Sequence, residues 1–110
     1  MKESSTTQRF ERLLDAKDDA RYVLRLYVTG MTPRSTEAIA AIKALCDDRL
    51  ANRYELVVID MYEHPAEARD AQIIASPTLL RKLPLPLRRL IGNLSDRHRV
   101  LLGLDLRAER

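Results

Sequence analysis

The chain has 110 residues, long enough for one hydrophobic core and too short for two. Its 45% apolar and 32% charged content is ordinary for a globular protein, and no apolar run approaches the roughly 20 residues that span a bilayer. The net charge of +3 is unevenly placed, with 11 basic and 13 acidic side chains in residues 1–80 against 8 and 3 in residues 81–110, but no aromatic residue follows Tyr62, so the basic end lacks the stacking platform of a single-strand nucleic-acid binder.

The N-terminus has no apolar segment of the secretory type, and the one cysteine, Cys46, excludes an internal disulfide, so a cytoplasmic protein is expected. Residues 1–20 read as an N-terminal extension. Within it residues 5–16 have helical character, with Phe10, Leu13 and Leu14 on one side, and are too short to be stable without docking. A domain is expected over residues 21–110.

Tyr22-Val-Leu-Arg-Leu-Tyr-Val28 alternates Leu24, Leu26 and Val28 on one face and predicts a strand. A turn follows, and Thr32 is placed to cap a helix that opens with Pro33. Ile39, Ile42, Leu45 or Cys46, and Leu50 recur at helical spacing to about Ala51. The nearly continuous apolar run Tyr54-Glu-Leu-Val-Val-Ile-Asp60 predicts a second strand, central in its sheet. Pro65 opens a second helix to about Ile73, and Pro77 directly precedes a third strand. The order β-α-β-α-β requires a parallel pair joined by a crossover.

Residues 83–106 support two local structures. In the first, Pro86 opens a short helix lined by Leu87, Leu90 and Ile91 and ended by Gly92, and Val100–Leu104 is a strand. In the second, residues 88–94 are extended, and Ser95 and Asp96 cap a helix carrying Val100, Leu101 and Leu104 on one face. Local preference does not choose between them.

Chemistry is sparse in this chain. The segment from the first strand to the first helix, followed by Ser76-Pro77-Thr78 before a later strand, resembles the thioredoxin-like fold, in which that proline is cis and faces the start of the first helix. Redox members carry a dithiol at the helix start, where the N-terminus stabilises a thiolate. Here the frame reads Met31-Thr32-Pro33-Arg34, without sulfhydryls. Cys46 reads as a small buried apolar side chain. Thr29, Thr32 and Ser35 are expected to cap and not to hold an anion. His64 and His98 lack the partners of a metal site, and three glycines form no phosphate loop. No enzyme activity, cofactor or metal is expected; a thiol enzyme using Cys46 is the reading set aside.

Taken together, Tyr27-Val-Thr-Gly-Met-Thr-Pro33, Val58-Ile-Asp60, Ala75-Ser-Pro-Thr-Leu79, Leu83-Pro-Leu-Pro-Leu-Arg-Arg-Leu-Ile-Gly92, Leu94-Ser-Asp-Arg97 and Val100-Leu-Leu-Gly-Leu-Asp-Leu106 resemble the KaiB family across about residues 21–106. The resemblance implies a metamorphic α/β protein with a resting, usually tetrameric, form of order β-α-β-β-α-α-β, expected when the chain is alone. It also implies a rarer thioredoxin-like monomer of order β-α-β-α-β-β-α that binds the first ring of the KaiC-type ATPase hexamer. The interface is expected to use the second strand and the switched segment, with Lys43, Arg88, Arg89 and Asp105 as contacts. A histidine kinase is implied as a competitor for the ring, or, in the alternative reading, as the target of a KaiB-like sensor module. The missing acidic tail, Met31 in the turn and the extra N-terminus leave circadian timing and a stress response equally served.

Physical roles follow for the switch. Gly103 inside a helix costs about 1 kcal/mol against alanine, so Gly103→Ala is expected to favour the ring-binding form. Asp105 late in that helix faces the unfavourable end of its dipole. Pro77, Pro84 and Pro86 are positions where the two forms can hold different peptide isomers, which exchange slowly enough to limit an association rate.

Overall fold

The computed structural model describes residues 20–106, so the helix expected at residues 5–16 lies outside the described residues. Strand β1, Tyr22–Val28, follows its alternation. Leu24, Leu26 and Val28 enter one apolar cluster and Tyr27 a second on the opposite face, so β1 is buried from both sides.

Helix α1, Pro33–Arg49, starts where the sequence predicts. Thr32 is extended and its hydroxyl accepts from the Ser35 amide at 3.1 Å, while Pro33 fills the first position. Ala38, Ile42, Leu45 and Cys46 bury one stripe of the helix against β1. Strand β2, Tyr54–Asp60, runs parallel to β1, from Tyr22 opposite Tyr54 to Val28 opposite Asp60.

The structure corrects the expected position of β2. The sheet order is β2-β1-β3-β4, with β3 spanning Thr78–Leu83 and β4 Arg88–Ile91, so β1 is central and β2 is an edge. Val57 and Val58 keep 42% and 40% of their surface exposed, although their strand reads as fully buried. An apolar run shows that a strand has something to cover; it does not show that its own chain covers it.

Helix α2, Pro65–Asp70, stops three residues before the expected end. Gln72 takes φ +57°, and the Gln72 and Ile73 amides donate back to the Arg69 and Ala68 carbonyls, a left-handed closure of the helix end. The Arg89 guanidinium then caps the freed carbonyls of Ala71 and Gln72 at 2.7 and 2.9 Å.

Of the two readings of the last third, the structure has the second. β4 pairs antiparallel with β3, and helix α3, Arg97–Gly103, is capped by the Asp96 carboxylate accepting from the Arg99 amide at 3.2 Å. Val100, Leu101 and Leu104 join Leu94 in the larger cluster. The order is therefore β-α-β-α-β-β-α, the thioredoxin-like one, and not the β-α-β-β-α-α-β order expected of a resting form. The physical reason is at Pro86: its carbonyl is taken by the buried Arg81 side chain instead of opening a helix. Residues 88–91 are then free to pair with β3.

Gly103 adds a constraint that helix propensity alone does not reveal. A Cβ at this position would stand 1.9 Å from a terminal carbon of Leu90 and about 3 Å from two more, so α3 crosses β4 at a distance any larger residue can share only if Leu90 moves. Alanine gains about 1 kcal/mol of helix propensity and must also displace Leu90. In urea unfolding, Gly103→Ala is expected to stabilise this order more in a Leu90→Val background than in the parent, with a coupling on the order of 1 kcal/mol. Additive effects of the two substitutions would show that the contact costs nothing.

Candidate functional site

Three of the sequence-predicted residues converge with one that the sequence reading did not single out. Arg81, only 2% exposed, faces the α3 side of the sheet. Its Nη1 donates to the Leu104 carbonyl at 2.7 Å and to Asp105 at 3.2 Å, and its Nη2 donates to the Pro86 carbonyl at 2.8 Å. Arg88 stands opposite Arg81 across the β3–β4 pair and reaches the same Asp105 oxygen at 3.4 Å. Like charges facing one another across strands repel, and Asp105 between them removes that cost. The signal for Arg81 was present in Thr78-Leu-Leu-Arg81, because strand alternation puts Arg81 on the face of the buried Leu79.

Asp105 is not inside the helix, which corrects its expected role. It follows α3 with φ +60°, and the Asp105 and Leu106 amides donate to the Leu102 and Leu101 carbonyls. This is the same closure as at α2. The carboxylate does sit at the negative end of the dipole, but two guanidinium groups offset it. Arg89, expected beside Arg88 in one interface, lies on the other face of β4 at the end of α2.

Pro77 is buried and lines a cleft with Arg34, Glu37 and Ala38 of α1, facing the helix start as the thioredoxin-like resemblance implies. The Ser76–Pro77, Leu83–Pro84 and Leu85–Pro86 peptides are cis. Pro84 and Pro86 belong to the β3–β4 connection, where Leu83, Leu85 and Leu87 are all exposed, Leu85 by 74%. At the start of α1 the hydroxyls are occupied: Thr29 donates to Ser76 at 3.2 Å and Thr32 to Ser35 at 3.0 Å. They cap and link.

Lys43 belongs to a different group of contacts, between α1 and β2. Its Nζ lies 3.6 Å from Asp47, whose other oxygen accepts from the Tyr54 hydroxyl. The Tyr54 hydrogen bond holds the Asp47 carboxyl below its ordinary range, and the Asp47 charge raises Lys43. Cys46 is fully enclosed, and burial pushes its thiol up to about 12. It packs within the larger apolar cluster, as a small buried side chain does.

Arg81→Leu leaves the Leu104 and Pro86 carbonyls without their donor and Asp105 with one cation. The expected loss is about 3 kcal/mol in urea unfolding, and Arg81→Lys, which reaches one carbonyl at a time, should lose about half as much. Equal stability of all three chains would remove Arg81 as the pin of this region.

Comparison with known proteins bears on what this arrangement belongs to. A family model described as the KaiB domain matches residues 25–106. The circadian clock protein KaiB3 of Synechocystis sp. is 46% identical over 89 residues, covering 81% of this chain and 87% of that protein. The circadian clock oscillator protein KaiB of Synechococcus elongatus is 48% identical over 85 residues, covering 77% and 83%. Among solved structures, the N-terminal domain of Synechococcus elongatus SasA superposes with TM-score 0.65 at 21% identity, covering 78% of this chain and 85% of that one. Mitochondrial thioredoxin 3 of Saccharomyces cerevisiae gives 0.63 at 15%, covering 90% and 88%. The structural likenesses establish the thioredoxin-like fold, and the sequence matches, the family model among them spanning residues 25–106, establish that the chain belongs to the KaiB family.

Proposed function

We propose that this protein is a non-enzymatic regulator that docks on a KaiC-type ring ATPase and modulates its phosphorylation cycle, in circadian timing or a related stress response. The observation that carries this reading is the order of the elements. The β-α-β-α-β-β-α arrangement is the one that family resemblance assigns to ring binding, and it leaves β2 as an open edge with Val57 and Val58 exposed. A strand at the edge of a sheet with exposed apolar side chains is a surface suited to a partner. Lys43 lies beside that edge through its contact with Asp47 and Tyr54, and Arg88 and Asp105 form the charged node next to the exposed leucines of the β3–β4 connection.

A change of fold fits the same residues. The switched order would have to break the Arg81 contacts to Pro86, Leu104 and Asp105, free Gly103 from Leu90 and re-pair residues 88–91. Two packings separated by a few kcal/mol suffice for a switch. The other form would bury the exposed leucines by self-association into a tetramer or dimer. Among the described residues no helix is long and apolar enough to cross a membrane, and we place the protein in the cytoplasm, acting as one domain from residue 21 onward with no nucleic acid or cofactor. The second reading is a KaiB-like module acting on a histidine kinase, or competing with one for the ring.

The test is association of the full chain with a purified KaiC-type hexamer in ATP, followed by size exclusion and fluorescence anisotropy over hours. A complex that forms slowly, and that Lys43→Glu or Arg88→Glu weakens by roughly tenfold, is expected. A chain that forms no complex with such a hexamer but captures a histidine kinase would replace the leading reading with the second.

A further inference from the structure

Among the described residues, the sheet face away from α1 and α3 is covered by the short helix α2 together with Met61, Ala71 and Ile73, which pack over Tyr27, Ile59 and Leu80. Beside α2 a cleft of about 370 Å³ opens on the sheet, within the range of small-ligand sites. Its floor is cationic. Arg25 on β1 and Arg89 on β4 are both paired with Leu80 of β3, one from each side, and Lys82 follows Leu80 on the same face. Arg89 is held by the Ala71 and Gln72 carbonyls, but Arg25 and Lys82 are half-buried and have no hydrogen bond or ion pair among the described residues. Gathering three positive charges without a counter-charge on the floor is unfavourable.

Two further observations define what would relieve it. Tyr27 forms part of the same wall, is fully enclosed, and its hydroxyl has no hydrogen-bond partner among the described residues. An orphaned buried hydroxyl is a donor waiting for an acceptor. Glu67 and Asp70 of α2 also line the cleft. These carboxylates would repel a bare anion, yet they accept hydrogen bonds from hydroxyl groups.

We propose that this cleft binds a small phosphomonoester that also carries hydroxyl groups, a sugar phosphate in size and chemistry. Arg25 and Lys82 hold the phosphate by charge-assisted hydrogen bonds, Tyr27 supplies a further donor after a small side-chain adjustment, and Glu67 and Asp70 receive the ligand's hydroxyls. The division of charge between floor and helix is what selects a hydroxylated anion over inorganic phosphate or a nucleic-acid strand.

The experiment is an amide-resolved NMR titration of the full chain with glucose 6-phosphate and, separately, inorganic phosphate at constant ionic strength. Saturable shifts centred on Arg25, Tyr27, Lys82 and Arg89 are expected, with glucose 6-phosphate the tighter of the two. Arg25→Gln and Lys82→Gln should each weaken binding by about tenfold and Tyr27→Phe by a few-fold, whereas Arg34→Gln, outside the cleft, should change nothing. Shifts that do not saturate, shifts scattered over the basic surface, equal binding of the two probes, or an Arg25→Gln/Lys82→Gln double variant of unchanged affinity would each overturn the proposal.

Discussion

The last third of the fold hangs on one buried guanidinium. Arg81 lies under the end of α3 and beside the β3–β4 connection, and its two terminal nitrogens serve the Leu104 and Pro86 carbonyls and the Asp105 carboxylate. A buried charge is tolerated only when its hydrogen bonds are made. Those bonds can be made only if α3 ends at Leu104 and the chain turns back at Pro86. One side chain therefore ties two elements that have no strong local reason to be where they are. Its Nε is enclosed without a hydrogen-bond partner among the described residues, so even here the satisfaction is incomplete.

That matters because the packing around it is equally conditional. α3 is seven residues long and short helices are marginal without tertiary contacts. Its contacts are Val100, Leu101 and Leu104 in the core, the Arg97–Asp48 ion pair to α1, and the close crossing of Gly103 over Leu90. β4 has four residues, two of them arginines fixed by partners outside the strand. By contrast, β1, α1 and β2 are long and share in-register pairing and a continuous apolar stripe. The chain thus divides into a robust half, whose elements agree with their own sequence, and a conditional half held by a few specific contacts. A division of this kind gives a metamorphic protein a place to change while the rest remains a scaffold.

The sequence made the robust half readable and the conditional half ambiguous for the same reason. β1 ends where its alternation ends, Thr32 and Pro33 mark the helix start, and Pro77 marks the onset of β3. Those signals are local. The position of β2 at the edge is set by which strands pair, the early stop of α2 by a left-handed residue and a distant arginine, and the choice between two readings of residues 83–106 by Arg81. Each of these decisions is made across many residues, so no window could show it. At the candidate site, Arg88, Asp105 and Gly103 were legible from the motif, but that Arg88 and Asp105 meet, that Arg89 lies on the other face, and that Gly103 is a crossing point are properties of the assembled sheet.

The two surfaces this fold leaves unfinished are opposite in character. The β2 edge and the β3–β4 connection expose valines and leucines, which favour burial against another macromolecule. The cleft beside α2 gathers cations on the sheet and carboxylates on the helix, and it is too small for a macromolecular partner and of the right size for a metabolite. Arg89 belongs to both: it lines the cleft, and it caps α2 from β4, a strand that the other reading of residues 83–106 replaces with a helix. Any ligand that settles in the cleft against Arg89 must therefore favour the arrangement in which β4 lies beside β3, because a ligand shifts an equilibrium by its difference in affinity for the two states. Occupancy of the polar cleft and the pairing of residues 88–91 with β3 are then linked through Arg89.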